Sequence, residues 1–301
     1  SLYNNEATGN VAVGLQSLHS NTDGSDNVAI GNSALYKNTD GSNNVAVGTQ
    51  ALRNNTTGNF NTGVGKDALA GNNNTGNSNT AIGYQSMYSI AGGDSNTAVG
   101  YQSLNSNTTG GGNTAVGNLA LEKNTADDNT AVGNSSLKNN TTGTNNTAMG
   151  VNALITNTTG QSNVAIGSNA LQANNGKNNT AMGVNALYTN TTGEKNIAIG
   201  TDALYNNTDA SNNLAIGSNT LKNNTSGSYN LAVGNTALSL NTTGTNNTAV
   251  GWGCMSVGNT LSGAYTGSYN VGLGEQALYS NQSGNTNTAL GFAAMARNVS
   301  G

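Results

Sequence analysis

The motif N-x-[A/G]-[V/I/L/M]-G recurs seventeen times between Asn10 and Asn287, at spacings of 16 to 18 residues in all but one interval. A fixed period this short decides the fold class before any single motif can. Counting the leading asparagine as position 1, the unit reads N-T-A-V-G-x-x-A-L-x-x-N-T-T-G-x-N, and it covers the whole chain. Such a unit is too short for a helix-turn-helix repeat, and the Ala-Leu pair at positions 8 and 9 has no 3.6-residue periodicity around it. Short strands joined by tight bends are the expected elements. The expected fold is therefore all-β: a parallel β-solenoid, or β-roll, of about seventeen 17-residue coils. It forms one continuous array over residues 1–301 with an irregular unit at 247–269.

Strand alternation sets two faces. Positions 2 and 4 point one way (Val28 and Ile30, Val45 and Val47), and positions 3 and 5 the other (Ala29 and Gly31, Ala46 and Gly48). Position 4 is aliphatic or Met in every copy and position 9 is Leu or Met in every copy. These columns are expected to form the stacked core, through Ile30, Leu35, Val47, Leu52, Val99, Leu104, Ile166, Leu171, Ile199 and Leu204. The small Ala and Gly face is expected to let neighbouring chains approach around an axis, giving an intertwined or laterally packed parallel homotrimer. None of the 22 charged residues falls at positions 1 to 5, 8 or 9, so charge marks an outer rim.

Position 12 is Asn in fifteen copies and is usually followed by Thr, Thr or Asp, and Gly. Asn38 with Gly41, Asn55 with Gly58, Asn107 with Gly110, and Asn241 with Gly244 read as turns, because Asn tolerates left-handed backbone and Gly supplies positive φ. Stacked coils would place each Asn about 4.8 Å from its counterpart, so amide ladders are expected along the array. The absence of proline agrees, since each rung must donate its N–H groups.

Composition narrows the function classes. The chain is 34% hydrophobic and 7% charged with a net charge of −4 and 42 glycines, too little apolar residue for one large core. The acidic balance gives no footprint for nucleic acid, and no apolar run is long enough to span a bilayer. One His, one Cys and scattered carboxylates supply no catalytic constellation, so no enzyme activity, cofactor or metal is expected. Asp127-Asp128 reads as a solvated bend, and the recurring glycines have no phosphate-loop context. The irregular unit carries about six extra residues and the sole Trp and Cys. Insertions in repeat arrays map to loops on one face, so Trp252, Cys254, Tyr265 and Tyr269 form a candidate binding loop beside the alternative of a tolerated bulge. Tyrosines at positions 6 and 10, such as Tyr84, Tyr101, Tyr188 and Tyr205, could stack on glycans or proteins.

The segments N27-V-A-I-G, N163-V-A-I-G and N196-I-A-I-G resemble the head repeats of trimeric autotransporter adhesins. The phrase N-T-A-V-G-Y-Q-S-L at 96–104 is similar to repeats of bacterial and phage tail fibres that end in an endosialidase-type chaperone domain. The unit here is longer than the adhesin head unit by its N-T-T-G extension. The resemblance implies a trimeric left-handed parallel β-roll in an extracellular fibre, on a cell surface or a virion, of which this chain is a segment. Its expected partners are further copies of itself and a host-cell surface protein or glycan. The alternatives are a self-assembling extracellular filament with a mechanical role and, third, an ice-binding solenoid suggested by threonine columns.

Overall fold

The computed structural model describes residues 7–71, 74–256, 264–298 and 300. Each copy of the pentapeptide forms a three-residue strand, and the regular secondary structure of the described residues is all β. The chain is a parallel β-solenoid divided into two compact units, Ser1–Asn146 and Thr147–Gly301. The first unit holds eight strands, from β1 (Val11–Val13) to β8 (Thr130–Val132), and the second holds nine, from β9 (Thr147–Met149) to β17 (Thr288–Leu290). Within each unit every strand pairs in parallel with the next in sequence, with like positions opposed: Val11 faces Val28, and Val164 faces Thr180.

Backbone bonding continues around the bends. The Leu18 N–H donates to the Ala34 carbonyl at 3.0 Å and the Ser20 N–H to the Tyr36 carbonyl at 3.1 Å, both one coil ahead. In the opposite direction, the N–H groups of Gly31 and Ser33 donate at 2.8 Å to Val13 and Leu15. Each coil is thus bonded to both neighbours at the strand and at the corner, which satisfies polar backbone that a thin coil could not otherwise bury.

The interior contradicts half of the expected core. Leu35, Leu52, Leu104, Leu171 and Leu204 are fully buried, and so are the alanines of positions 3 and 8, such as Ala29, Ala34, Ala198 and Ala203. The position-4 residues point outward instead: Ile30 is 41% exposed, and Val47, Val99, Ile166 and Ile199 are half-buried. The Ala column therefore faces the coil's own interior and is not an interchain face. Space decides this. At Gly63, which replaces the position-3 alanine, even a Cβ would sit 3.3 Å from Leu52 Cγ and 3.3 Å from the Ala68 carbonyl oxygen. The interior holds one methyl per strand against one leucine from the facing corner, so branched residues must turn outward.

The corner carrying that leucine is tight. Positions 7 and 9 adopt left-handed backbone in every described coil, with φ of 54° at Ser33 and 49° at Leu35. This costs an ordinary residue about 1–2 kcal/mol. Burying the leucine returns about 1.5–3 kcal/mol. At position 5, Gly48 has φ of 135°, and a Cβ there would lie 2.6 Å from the Gly65 carbonyl oxygen. This is why position 5 is glycine throughout.

Candidate functional site

The asparagine columns are structural. Asn38 is fully buried, and its Nδ2 donates to Asn21 Oδ1 at 2.6 Å and to the Gly41 carbonyl at 2.8 Å. Asn55 repeats the pattern onto Asn38 and Gly58, and Asn241 repeats it onto Asn224 and Gly244. At Asn107 the preceding coil has buried Ile90 in the column, and Asn107 closes on Gly110 through both amide atoms. A second ladder runs through position 1, where the Asn27 N–H donates to Asn10 Oδ1 at 2.9 Å and Asn27 Nδ2 to the Gly41 carbonyl at 2.8 Å. The backbone reason given for these turns is corrected. Asn38, Gly41, Asn55, Gly58, Asn107, Gly110, Asn241 and Gly244 are all absent from the left-handed region. Gly41 is small because a Cβ would lie 2.5 Å from Asn38 Oδ1 and from the Gly58 carbonyl oxygen. Ala210 shows that one methyl can be fitted at the equivalent place.

Two of the four residues assigned to a binding loop are core residues. Cys254 takes the place of the position-8 alanine, and Tyr265 enters the position-12 column, where it forms a parallel bridge with Asn241; both are fully buried. The Tyr265 hydroxyl accepts from Asn270 Nδ2 at 2.9 Å and Asn281 Nδ2 at 3.4 Å. Asn241 Oδ1, facing this substituted rung, is buried with no hydrogen-bond partner. Room for the cysteine comes from Gly272, where a Cβ would lie 2.7 Å from its Sγ. Burial pushes the Cys254 thiol up to about 11 and drives the Tyr265 hydroxyl above its usual range. Trp252 and Tyr269 are exposed, and the inserted stretch 257–263 lies outside the described residues.

The outward surface divides into columns. On the strand face, positions 2 and 4 present Val28, Ile30, Val45, Val47 and their equivalents in the first unit, and Val164, Ile166, Ile197 and Ile199 in the second. No charged residue interrupts this face in any copy. Eight rungs at about 4.8 Å and three residues at about 3.3 Å make a stripe of roughly 400 Å² in the first unit, and nine rungs make slightly more in the second. The stripe is charge-free but mixed: position 4 is aliphatic or Met in every copy, whereas position 2 is Thr in nine of the seventeen.

At the corner, position 6 carries Lys66, Tyr84 and Tyr101, with the two rings stacked at 5.5 Å and the ammonium 5.8 Å from the first ring. Position 10 carries Tyr188, Tyr205 and Lys222, the reverse order along the chain, with the rings stacked at 4.9 Å and the ammonium 5.8 Å from the Tyr205 ring. Stacking covers one face of each ring against its partner, and Tyr84 and Tyr101 remain exposed. Lys222 also donates to Asp202 Oδ2 at 3.0 Å. Partial burial alone would raise that carboxyl, but the hydrogen bonds from Lys222 and Asn185 and the lysine charge outweigh it and hold its pKa below the usual value.

Among the described residues no three His, Cys, Asp or Glu side chains converge as metal ligands. The sequence reading missed the outward turn of position 4. It also missed a notch at the position-10 corner near Ala70, where the only signal is a small residue followed by an 18-residue interval. No protein-family model matches the chain, and no curated protein matches it.

Proposed function

We propose that this chain is a non-catalytic structural segment of an extracellular fibre, whose copies pack in parallel through the charge-free aliphatic strand face. The observation that carries this reading is the outward position of residues such as Ile30, Ile82, Met149 and Met182, each about two-fifths exposed, in columns that lack any charge. Water-facing aliphatic columns repeated on every rung are an unfavourable surface for a solitary chain. Covering the stripes of both units on two partners would remove roughly 1,600 Å² from solvent, the size of a standard stable interface. A parallel arrangement keeps like rungs level, so one contact repeats along each stripe. The resemblance to trimeric adhesin heads and chaperone-terminated tail fibres supports three copies, a left-handed coil, and a place on a cell surface or virion. A host protein or glycan is then the partner at the fibre's outer columns.

Sedimentation equilibrium tests the packing. The expected mass is three times that of the chain, falling to one on Ile30→Lys combined with Ile82→Lys, with the β-sheet circular dichroism retained. A wild-type monomer at micromolar concentration would overturn the packing, and electron microscopy separates discrete fibres from the continuous filaments of a mechanical polymer. A second reading is favoured by Thr62, Thr80, Thr97, Thr114 and Thr130, five successive position-2 threonines on the strand face. Their regular hydroxyl and methyl spacing suits an ordered water layer, and thermal hysteresis in solution would support it.

A further inference from the structure

Side chains at position 10 of the first unit stack over its first three rungs, and the stack stops at the fourth. His19 lies on Tyr36 with ring centroids 5.1 Å apart, and the Arg53 guanidinium follows 6.0 Å from the Tyr36 centroid. The next rung has only Ala70, which is buried, followed by Gly71, held against the Ile90 backbone where no Cβ fits. Tyr88 resumes the column one rung on and is 42% exposed. The missing side chain leaves a notch of about 410 Å³, floored by Ala70 and Gly71 and walled by Gln50, Arg53, Tyr88 and Ser89. That volume falls within the range of small-molecule sites.

The chemistry of the notch has a direction. Arg53 is the sole charged side chain lining it, and its Nε is buried with no hydrogen-bond partner. In the second unit the equivalent Lys222 is engaged by Asp202 and Asn219. Arg53 takes part in neither of the ion pairs among the described residues. The Nε–H itself is closed off, so a carboxylate in the notch is met by the accessible end of the guanidinium, whose positive charge has no anionic partner among the described residues, through a charge-assisted contact. The Tyr88 ring offers an apolar face, and Gln50 and Ser89 offer groups for hydroxyls. We propose that this notch is a binding site for an acidic monosaccharide of the uronic-acid class. The carboxylate lies on Arg53, the ring face on Tyr88, and the hydroxyls reach Gln50 and Ser89.

This adds a recognition site to the fibre segment proposed above but does not depend on its oligomeric state. A trimer that ignores the sugar overturns only the notch, and a monomer that binds it overturns only the packing. The test is saturation-transfer NMR and calorimetric titration of the full chain with glucuronic acid, glucose and inorganic phosphate. Glucuronic acid is expected to bind at least about tenfold tighter than either comparator, a difference of about 1.4 kcal/mol. Arg53→Gln and Ala70→Gln are each expected to reduce that affinity at least about tenfold. Ala70→Gln fills the notch without threatening the coil, because Gln172 already occupies the same column position. Equal binding by the filled variant, equal binding of glucose or phosphate, or no binding of glucuronic acid to the wild-type chain would each overturn the proposal.

Discussion

The asparagine at position 12 does two jobs with one side chain: its amide N–H groups bond the preceding coil and its own turn, and its oxygen accepts from the coil that follows. Asn224 illustrates all three, donating to Asn207 Oδ1 at 3.0 Å and the Gly227 carbonyl at 2.9 Å while accepting from Asn241 Nδ2 at 2.7 Å. Truncation leaves Asn207 Oδ1 and one of the two Asn241 Nδ2 hydrogens without a partner in a fully buried place, while the Gly227 carbonyl keeps Asn213 Nδ2 as its donor. Asn224→Ala is therefore expected to destabilise its unit by about 2–4 kcal/mol, since each unmet buried group costs about 1–3 kcal/mol. Urea unfolding measures it, and a loss under about 0.5 kcal/mol would show that the ladder contributes little. Cys254 gives a second residue-level test. With its pKa raised to about 11, the buried thiol is protonated at neutral pH, and a maleimide should label it only after denaturation. The protonated form is favoured by folding. The associated stability is present below the ordinary thiol value and is lost as pH rises towards about 11. Cys254→Ala, which restores the alanine of the other coils, should remove the part of the alkaline loss that begins near pH 9, about the ordinary thiol value.

At the scale of the element, the strand was legible in its period and illegible in its polarity. Alternation divides Val28-Ala29-Ile30 into two faces, but both are apolar or small, so the pattern alone does not say which face is inside. The deciding quantity is the width of the coil, set by the left-handed corner at positions 7 and 9, and no residue type in the sequence announces that corner. Leucine rarely adopts such backbone. The same corner explains why Leu171 is fully buried while Ile166, five residues earlier, is only half-buried. The two columns should therefore respond differently to truncation. Leu171→Ala is expected to cost about 2–5 kcal/mol in monomer stability, as core leucines do. Ile166→Ala should cost under about 1 kcal/mol there and instead weaken association between chains, a surface change in the isolated coil. Denaturation at two protein concentrations separates the effects, because only a loss of association depends on concentration. A large, concentration-independent cost for Ile166→Ala would contradict its outward placement. The irregular unit was legible as an insertion, but Cys254 and Tyr265 were not legible as core. Their signal lay one coil on, in Gly272 replacing the alanine whose methyl the cysteine displaces.

For the whole molecule, the dominant interactions are neutral. Backbone ladders, amide ladders and the Ala-Leu interior carry no formal charge, and the ion pairs among the described residues are two, Glu122 with Lys138 and Asp202 with Lys222. All four partners retain about a fifth or more of their side-chain exposure, where such pairs contribute at most about 1 kcal/mol each. Stability should then be nearly independent of ionic strength, because screening acts only on charge. The pH dependence follows from the same inventory. Asp202, held below its usual value, adds stability that is present above the ordinary carboxylate range and is lost as pH falls through its folded value. Cys254 and Tyr265 add losses only on the alkaline side, so the interval from about pH 5 to about pH 8 should be flat. The expected result is a urea midpoint that shifts by less than about 1 kcal/mol equivalent between about 0.02 and about 0.2 M salt, and across that pH interval. A steep salt dependence would mean that charged contacts between chains, and not the aliphatic strand faces, hold the assembly together. Sedimentation of Ile30→Lys combined with Ile82→Lys across the same salt series decides the point: the variant is expected to stay monomeric throughout, whereas an assembly held by charged contacts elsewhere would survive the substitutions at low salt and dissociate as salt rises.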